Sequence, residues 1–512
     1  MASQRKKGAI LSYILMIAEV FSGMFFTPFL IRSFGQAEYG VYSLVSAITS
    51  YLYLLDLGIG NSIIRYMAKF RVKEDKEKQG SLMAVTLIFY TGIGILIIII
   101  GIILKSNFSV IFGKGLNTNQ ISRAQIMFTI TMLNAAATLI LAPFNKTILA
   151  FEKYTFSKTA DIVKIILRVT ISLLVLHAGG RGIAIVTVNF CMTLCFGAIS
   201  LIYNIVTIKI YPIFGKIDSC FVKEIFSYSI IVFVQMLATQ LNSMVDQLLM
   251  GIMVTSSAVI IGVYAIGAQL GTYLQSFASS INGVLMPGVV RMIETIDDKK
   301  QIENEMVRIG RILFMMLGLI YAVFVIFGDD FIKLWAGKEN YQAYYVGVTI
   351  MLPMVFHLSQ SIGSQILWAM NQHKIQAILQ IIVALSNILL TAVLINWNPL
   401  MGASIATGIT YFLGNVIVQN IVFTKYIGVS MPSYYRKMFK GILPCLGISV
   451  IAGLIMQVFH LNGWYGFIIN CGVMVVVYVM VMYYKGMSSY EKQLIDSLLK
   501  KLLNVKKNVQ KR

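Results

Sequence analysis

The sequence predicts an all-α polytopic membrane protein of about 14 transmembrane helices. We expect two six-helix pseudo-symmetric lobes around a central cavity, plus two extra C-terminal helices. Of the 512 residues, 58% are hydrophobic and only 12% are charged, which is more apolar surface than a soluble domain buries. The apolar residues form runs of about 20 or more, the length of a membrane-spanning helix. No alternating ten-residue strand pattern is present, so helices rather than a β-barrel should span the membrane.

The predicted spans follow one another through short connections, and no soluble domain is inserted between them. They cover residues 9–31, 39–65, 80–104, 122–145, 158–177, 183–208, 226–252, 258–290, 307–328, 342–370, 374–396, 401–424, 438–459 and 464–484.

A weak internal repeat divides these spans into two sets of six. Gly40-Val41-Tyr42 opens the second span, and Gly262-Val263-Tyr264 lies early in the eighth, 222 residues later. Because six is an even number, the two copies share one membrane topology, as in transporters whose substrate site lies at the repeat interface. We therefore expect one lobe over 1–208, a second over 226–424, two added spans over 438–484 and a basic amphipathic tail over 488–512.

The basic residues predict the orientation of the chain. Of the 42 Lys and Arg residues, 33 fall on one side of the predicted spans, seven fall on the other, and Lys164 and Arg168 lie within a span. Cytoplasmic loops carry an excess of Lys and Arg, so both termini should be cytoplasmic and the protein should lie in the cell membrane. The net charge of +21 thus indicates membrane orientation rather than nucleic-acid binding.

Several spans carry polar side chains on one helical face. Successive residues in a helix are 100° apart, so residues that recur every three or four positions share a face. Such stripes in both halves favour a hydrated cavity, although hydrogen bonding between helices explains a single Ser, Thr, Asn or Gln equally well. From these stripes we select Asn134, Gln235, Asn242, Gln269 and Gln360 as candidate substrate-binding residues.

Ionisable residues within spans are expensive in a bilayer and mark candidate sites. Lys164 and Arg168 share one line of the fifth span with Asp161, which is placed to pair with Lys164. The carboxylates are candidate sites for a coupling H⁺ or Na⁺: Glu19, Asp56, Asp161 and Asp246. No group of His, Cys, Asp and Glu has the spacing of a metal site, and no ATP-binding loop is present, so we expect no cofactor.

Three stretches resemble the polysaccharide-transport, Wzx-like flippases of the MATE-like superfamily. The first is Phe34-Gly35 followed by Tyr39-Gly40, Asp56-Leu57-Gly58 and Arg65. The others run from Asp246 through Gly251 and Gly262-Val263-Tyr264 to Pro287 and Arg291, and from Asn371-Gln372-His373-Lys374 through Asn387 to Gly402-Ala403-Ser404-Ile405-Ala406. The match extends over essentially the whole chain, and the order and spacing of the motifs carry it.

The resemblance implies two lobes in a V around a central cavity. It also implies a flippase that moves a polyprenyl-diphosphate-linked oligosaccharide from the inner to the outer leaflet for surface polysaccharide synthesis. The cavity of the family is cationic, and here Lys164 and Arg168 would supply that charge, with Arg65 and Arg291 near the inner mouth. Membrane lipids, a polymerase and glycosyltransferases are the expected partners.

Three other functions remain open from the sequence. A cation-coupled drug antiporter of the same superfamily would favour a carboxylate-lined cavity. A flippase for the peptidoglycan-precursor lipid would share the whole architecture. A membrane polymerase or glycosyltransferase would need large loops with catalytic clusters, whereas the loops here are short, so we expect no enzyme.

Overall fold

The structure is a computed structural model, and every described element is a helix. It describes residues 2–215, 233, 236–237, 240–242, 244–295, 299–370, 372–459, 463–493 and 496, excluding the side chains of 2–6, 9, 283–295 and 373. The chain separates into two compact units. The first contains residues 1–269 and 377–410, and the second contains residues 270–376 and 411–512.

In chain order the first twelve helices are α1 (Ala2–Phe34), α2 (Gln36–Leu52), α3 (Ile59–Val72), α4 (Lys76–Ser106), α5 (Phe108–Phe112), α6 (Thr118–Ala150), α7 (Tyr154–His177), α8 (Gly182–Tyr203), α9 (Met244–Met253), α10 (Ala258–Thr295), α11 (Lys299–Trp335) and α12 (Ala343–Ser359). The remaining seven are α13 (Ser361–Ala369), α14 (His373–Leu394), α15 (Pro399–Phe412), α16 (Gln419–Tyr426), α17 (Met431–Phe439), α18 (Ile442–Val458) and α19 (Gly463–Val481).

Among the described residues, ten helices are long and apolar enough to cross a membrane, or twelve if each of two bent helix pairs is one span. The bent pairs are α12 with α13 and α17 with α18, each with a bend of 46°. This confirms the predicted all-α membrane fold and is compatible with fourteen spans, because α7 carries several charges and nearly half of the predicted seventh span lies outside the described residues.

Helix α6 lies at the centre of the first unit, where it packs against α2, α3, α4 and α8. Its start is fixed by a reciprocal cap. The Asn117 side chain accepts a hydrogen bond from the Gln120 amide (2.9 Å), and the Gln120 side chain accepts one from the Asn117 amide (3.0 Å). This satisfies amide groups that a helix N-terminus otherwise leaves without partners.

The second predicted span is broken at Asp56. A short 3-10 turn over Tyr53–Asp56 ends at Leu57 and Gly58, both of which have left-handed backbone angles (φ 52° and 74°). Glycine adopts this conformation without a steric penalty, which explains its place immediately before α3. The break exposes the Asp56 carboxylate to partners that a continuous helix would not bring to it.

The two Gly-Val-Tyr motifs of the internal repeat meet inside the first unit. A Cβ added at Gly40 would lie 1.6 Å from the Ala258 carbonyl oxygen, and one added at Gly262 would lie 3.4 Å from Gly40 Cα. Helices α2 and α10 therefore cross with their backbones in direct contact. Only a residue without a side chain permits this at Gly40.

The second unit is organised around α11, which packs against α12, α17, α18 and α19. Ile326, Phe327 and Met474 form a buried cluster between α11 and α19. At the other end of α11, the buried side chain of Arg311 donates hydrogen bonds to Glu491 and to backbone carbonyl oxygens near the ends of α17 and α19.

Candidate functional site

Asp246 on α9 is the most buried of the four predicted ion-site carboxylates, with 4% of its surface exposed. Three hydroxyl groups donate to it. Thr391 Oγ1 on α14 lies 2.9 Å from Oδ1, Thr407 Oγ1 on α15 lies 2.5 Å from Oδ2, and the Tyr264 hydroxyl on α10 also donates to Oδ2. Four helices thus converge on one carboxylate within the first unit.

Asn387 extends this cluster by one layer. Its Nδ2 donates to Thr407 Oγ1 (2.9 Å) and to Thr410 Oγ1 (3.3 Å). Its Oδ1 is buried and has no hydrogen-bond partner within the described part of the chain. An orphaned buried carbonyl oxygen costs free energy, so the open acceptor of Asn387, which is linked to Asp246 through Thr407, is suited to a cation or a proton-carrying group.

The chemistry of the Asp246 cluster follows from its donor set. Burial works against the charged form of a carboxylate, donated hydrogen bonds work for it, and hydroxyl groups are able to rotate away and present their oxygen atoms instead. Carboxylate, hydroxyl and amide oxygens are the ligands that hard cations take in proteins. The cluster has the chemistry to hold H⁺ or Na⁺.

Asp56 lies in a second polar cluster of the first unit. The fully buried Tyr90 hydroxyl on α4 donates to Asp56 Oδ1 over 2.5 Å. A Cβ added at Gly60 would lie 3.4 Å from Lys146 Nζ and 3.6 Å from Asp56 Oδ1, so both groups border the same point. Asp56 is therefore held by an aromatic hydroxyl on one side and faces a basic side chain near Gly60.

The charged face of α7 carries Asp161, Lys164 and Arg168, all of them half-buried. The Asp161 carboxylate pairs with Lys158 Nζ at 3.9 Å, rather than with Lys164 as the sequence suggested. Arg168 is close enough to Tyr42 on α2 to interact with it electrostatically. Two cationic side chains thus project from the middle of a helix whose Lys158 and Asp161 pair with each other.

The predicted amide-bearing residues make hydrogen bonds between helices. Asn134 Nδ2 donates to the Tyr53 hydroxyl (3.1 Å), Asn242 Nδ2 donates to the Gln380 backbone oxygen (3.3 Å), and Gln269 Nε2 donates to Thr27 Oγ1 (3.1 Å). Gln360, which is fully buried in the second unit, donates to the Asn415 carbonyl (2.9 Å) and accepts from the Tyr435 hydroxyl (2.8 Å).

The other predicted site residues are placed as follows. Arg65 on α3 and Glu19 on α1 are exposed. Arg291 lies on α10 but its side chain is outside the described part of the structure, and Gln235 lies outside the described residues. Most of the predicted tail at 488–512 also lies outside them, although residues 489–493 are helical.

Sequence reasoning missed Glu38 in the first turn of α2. Its Oε1 accepts a hydrogen bond from the Gly182 amide at the start of α8 (3.1 Å), and its Oε2 pairs with Arg123 and with Arg181, the latter at 3.7 Å. It thereby joins the ends of α2, α6 and α8. Tyr90 was also missed, because its span otherwise read as apolar all round.

The comparisons with known proteins agree with this architecture. The family model described as polysaccharide biosynthesis protein matches residues 6–293, more than half of the chain. The chain belongs to the polysaccharide biosynthesis protein family. It is 20% identical to the uncharacterized membrane protein EpsK of Bacillus subtilis (strain 168) over 452 residues, which is 85% of each chain.

Solved structures with the same fold are transporters. The chain superimposes on the lipid II flippase MurJ, in its inward closed conformation, with a TM-score of 0.70 and 15% identity, covering 95% of this chain and 99% of that one. It superimposes on an inward-facing multidrug resistance MATE family transporter of the MOP superfamily with a TM-score of 0.64 and 12% identity, covering 81% and 94%. This family member therefore has the fold of the MurJ and MATE transporters.

Proposed function

We propose that the protein is a flippase that moves a polyprenyl-diphosphate-linked oligosaccharide repeat unit from the inner to the outer leaflet of the cell membrane. The family and the fold together support a lipid-linked oligosaccharide flippase. Both termini would lie in the cytoplasm. A polymerase and glycosyltransferases of the same surface polysaccharide would act beside it, and the flippase itself would carry out no chemical reaction.

The observation that carries this proposal is the charged face of α7. A diphosphate head group is anionic, and neither it nor a hydrated glycan crosses about 30 Å of hydrocarbon unaided. Lys164 and Arg168 would neutralise the phosphates, with Arg65 and Arg291 at the inner mouth. The amides of Asn134, Gln235, Asn242, Gln269 and Gln360 would replace water around the sugars, while the lipid tail stays in the bilayer.

The mechanism would be alternating access. The lobes over 1–208 and 226–424 would rock about the substrate, as the repeated halves of many transporters do. The two added helices over 438–484 would stay outside this motion, and the basic tail over 488–512 would lie on the inner membrane surface.

Replacing Arg168 tests the proposal directly. Arg168→Ala should stop export of the lipid-linked glycan, so that repeat units accumulate in the inner leaflet while the amount of protein in the membrane stays unchanged. Arg168→Lys, which keeps the charge, should restore most of the export. Normal export by Arg168→Ala at normal protein levels would refute the role of this residue.

We propose that Asp246 is the coupling site, because it is the most buried of the four candidate carboxylates and the neighbouring Asn387 oxygen is open. Asp56, Asp161 and Glu19 are more exposed and rank below it. The competing driving force is the membrane potential, which gives an outward-moving anion about 2.3 kcal/mol per charge per 100 mV.

Transport into proteoliposomes separates these driving forces. With an imposed Na⁺ or pH gradient, the parent protein should respond to one of the two, and Asp246→Asn should lose that response while still binding the glycolipid. If the parent protein responds only to an imposed potential, Asp246 is not a coupling site.

A peptidoglycan-precursor flippase is the second candidate, favoured by the likeness to MurJ over 95% of this chain. A substrate competition assay distinguishes the two, because the proposed function requires polyprenyl-diphosphate oligosaccharide to be moved in preference to lipid II. A MATE-type drug antiporter would instead change the drug susceptibility of cells and leave their surface polysaccharide intact.

A further inference from the structure

An apolar groove runs between α7 and α8 in the first unit, on a face of α7 distinct from its charged face. The groove encloses about 740 Å³. From α7 it is lined by residues that include Phe156, Ala160, Val163 and Leu167. These recur at spacings of three and four, whereas Lys164 and Arg168 lie well around the helix from them.

The side chains from α8 complete the groove. Phe196 and Ile199 line its length, together with the exposed Cys195. At the end nearest the start of α7, the rings of Phe156 and Tyr203 stack with centroids 3.7 Å apart and planes at 14°. The groove is thus apolar along its length, and two stacked aromatic rings lie at one end.

One cationic residue, Lys153, lies at that aromatic end. The chain reaches it through a left-handed turn at Glu152 (φ 57°), with the Lys153 amide bonded to the Ile148 carbonyl at 3.2 Å, which ends α6 and starts α7. Lys158 is occupied by Asp161, whereas no described carboxylate forms an ion pair with Lys153. Its ammonium group is available to an anion.

The length of the groove indicates which kind of lipid chain fits it. Thr155 and Leu167 mark its ends on α7, twelve residues apart, which is about 18 Å along a helix axis. This is slightly more than one leaflet of a hydrocarbon core of about 30 Å. A chain that fits is one acyl chain of a phospholipid, because a polyprenyl chain is much longer than one leaflet.

We propose that this groove is a binding site for an anionic glycerophospholipid of the inner leaflet. Its phosphate would pair with Lys153, and one acyl chain would lie along the groove between α7 and α8. The bound lipid would support α7 from the side opposite its cationic residues. The site is independent of the proposed glycolipid substrate and uses the proposed orientation only to name the leaflet.

Two native cysteines on α8 provide the test and its internal control. Cys195 lines the groove, whereas Cys191, one turn earlier and also exposed, does not. The protein is placed in nanodiscs of phosphatidylcholine with increasing phosphatidylglycerol, and the maleimide labelling rate of each cysteine is measured by peptide mass spectrometry. Phosphatidylglycerol should slow labelling of Cys195 and leave that of Cys191 unchanged.

Variants then separate the head group from the chain. Lys153→Gln should raise the phosphatidylglycerol concentration needed for protection about fivefold, the factor that corresponds to ~1 kcal/mol for one lysine at an anionic surface. Lys158→Gln, the matched control, should leave it unchanged. Ala160→Phe, which fills the groove but keeps Lys153, should remove the protection.

Two results would overturn the proposal. A labelling rate of Cys195 that stays constant as phosphatidylglycerol replaces phosphatidylcholine would mean that the groove holds ordinary bilayer lipid without head-group selection. Protection by polyprenyl phosphate but not by phosphatidylglycerol would mean that it holds the substrate chain. If a variant does not fold, native mass spectrometry of the parent protein still decides, because it should retain one phosphatidylglycerol in preference to phosphatidylcholine.

Discussion

Replacing Arg311 with methionine should destabilise the second unit strongly, because this buried arginine joins four segments of the chain. Its Nε and Nη2 donate to the two carboxylate oxygens of Glu491 (2.7 and 3.2 Å). Its Nη1 donates to the Lys440 carbonyl at the end of α17 (2.7 Å), and its Nη2 donates to the Gly486 carbonyl beyond α19 (2.8 Å). Methionine keeps much of the side-chain volume and removes every donor.

The magnitude follows from the groups left behind. Glu491 has only 5% of its surface exposed, and breaking a buried ion pair by removing one partner costs about 3–5 kcal/mol. The orphaned carbonyls add to this wherever water does not reach them, at about 1–3 kcal/mol each. For a unit of about 200 residues, each kcal/mol lowers the melting temperature by about 2–4 °C, so a decrease of at least about 6 °C is expected.

The assay is thermal unfolding of purified protein in detergent. Arg308→Met is the matched control, one turn away on α11, because the Arg308 side chain is 40% exposed and its ion pair with Glu305 is worth at most about 1 kcal/mol. The double variant Arg311→Met/Glu491→Gln should recover part of the loss, because it removes the orphaned charge. A decrease for Arg311→Met no larger than that for Arg308→Met would refute this reasoning.

Three further predictions concern other contacts. Burial alone would raise the pKa of Glu491, but hydrogen bonds and charge from Arg311, together with hydrogen bonds from Ser488, hold that pKa below its ordinary value of 4.5. The ionised Glu491 therefore stabilises the folded protein above pH 4.5, and this contribution is lost as the pH falls through the lower pKa of the folded state. The melting temperatures of the parent and Arg311→Met should therefore converge between pH 7 and pH 4, because the orphaned carboxylate then takes up a proton; a constant difference would contradict this. Gly40→Ala should lower both the melting temperature and glycan export, because the added Cβ meets a backbone oxygen. Gly92→Ala has open space around its Cβ, so it should leave export unchanged and should leave the melting temperature unchanged or slightly higher. Tyr90→Phe should cost about 1–3 kcal/mol in thermal unfolding by leaving a half-buried carboxylate oxygen without its donor, and an unchanged melting temperature would argue against that hydrogen bond.

Hydrophobic run length was enough to predict the helical membrane fold. A helix satisfies its own backbone within lipid, so each long apolar run has one solution whatever its neighbours are. The break after Asp56 was not predicted, because the span over 39–65 reads as one apolar run, although Gly58 occupies a left-handed conformation that favours glycine. The Gly-Val-Tyr repeat identified two glycines that the structure brings into contact, although a repeat does not indicate that its two copies touch each other.

The partners of each polar residue could not be predicted in the same way. Asp246 stood out because it is a charge within an apolar run, but the hydroxyls of Thr391 and Thr407 lie about 150 residues away in sequence. One helical face shows which side chains are polar, not which other helix they meet. Arg311 shows the same limit: its place near the start of the ninth predicted span indicates a charge at that end of the helix, but not that backbone carbonyls surround it.

The amide and cationic candidates therefore differ in what transport requires of them. Gln269 and Gln360 already hold hydrogen bonds to side chains or carbonyls of other helices, so binding a sugar would require each to exchange one partner for another. Such an exchange costs little only if a sugar hydroxyl replaces the lost bond as the helices move apart. Lys164 and Arg168 interact through charge with Asp161 and Tyr42, but no described carboxylate forms an ion pair with either of them. Substitutions of the two cations should consequently abolish transport of any polyprenyl diphosphate, whereas substitutions of the amides should alter which glycan is moved.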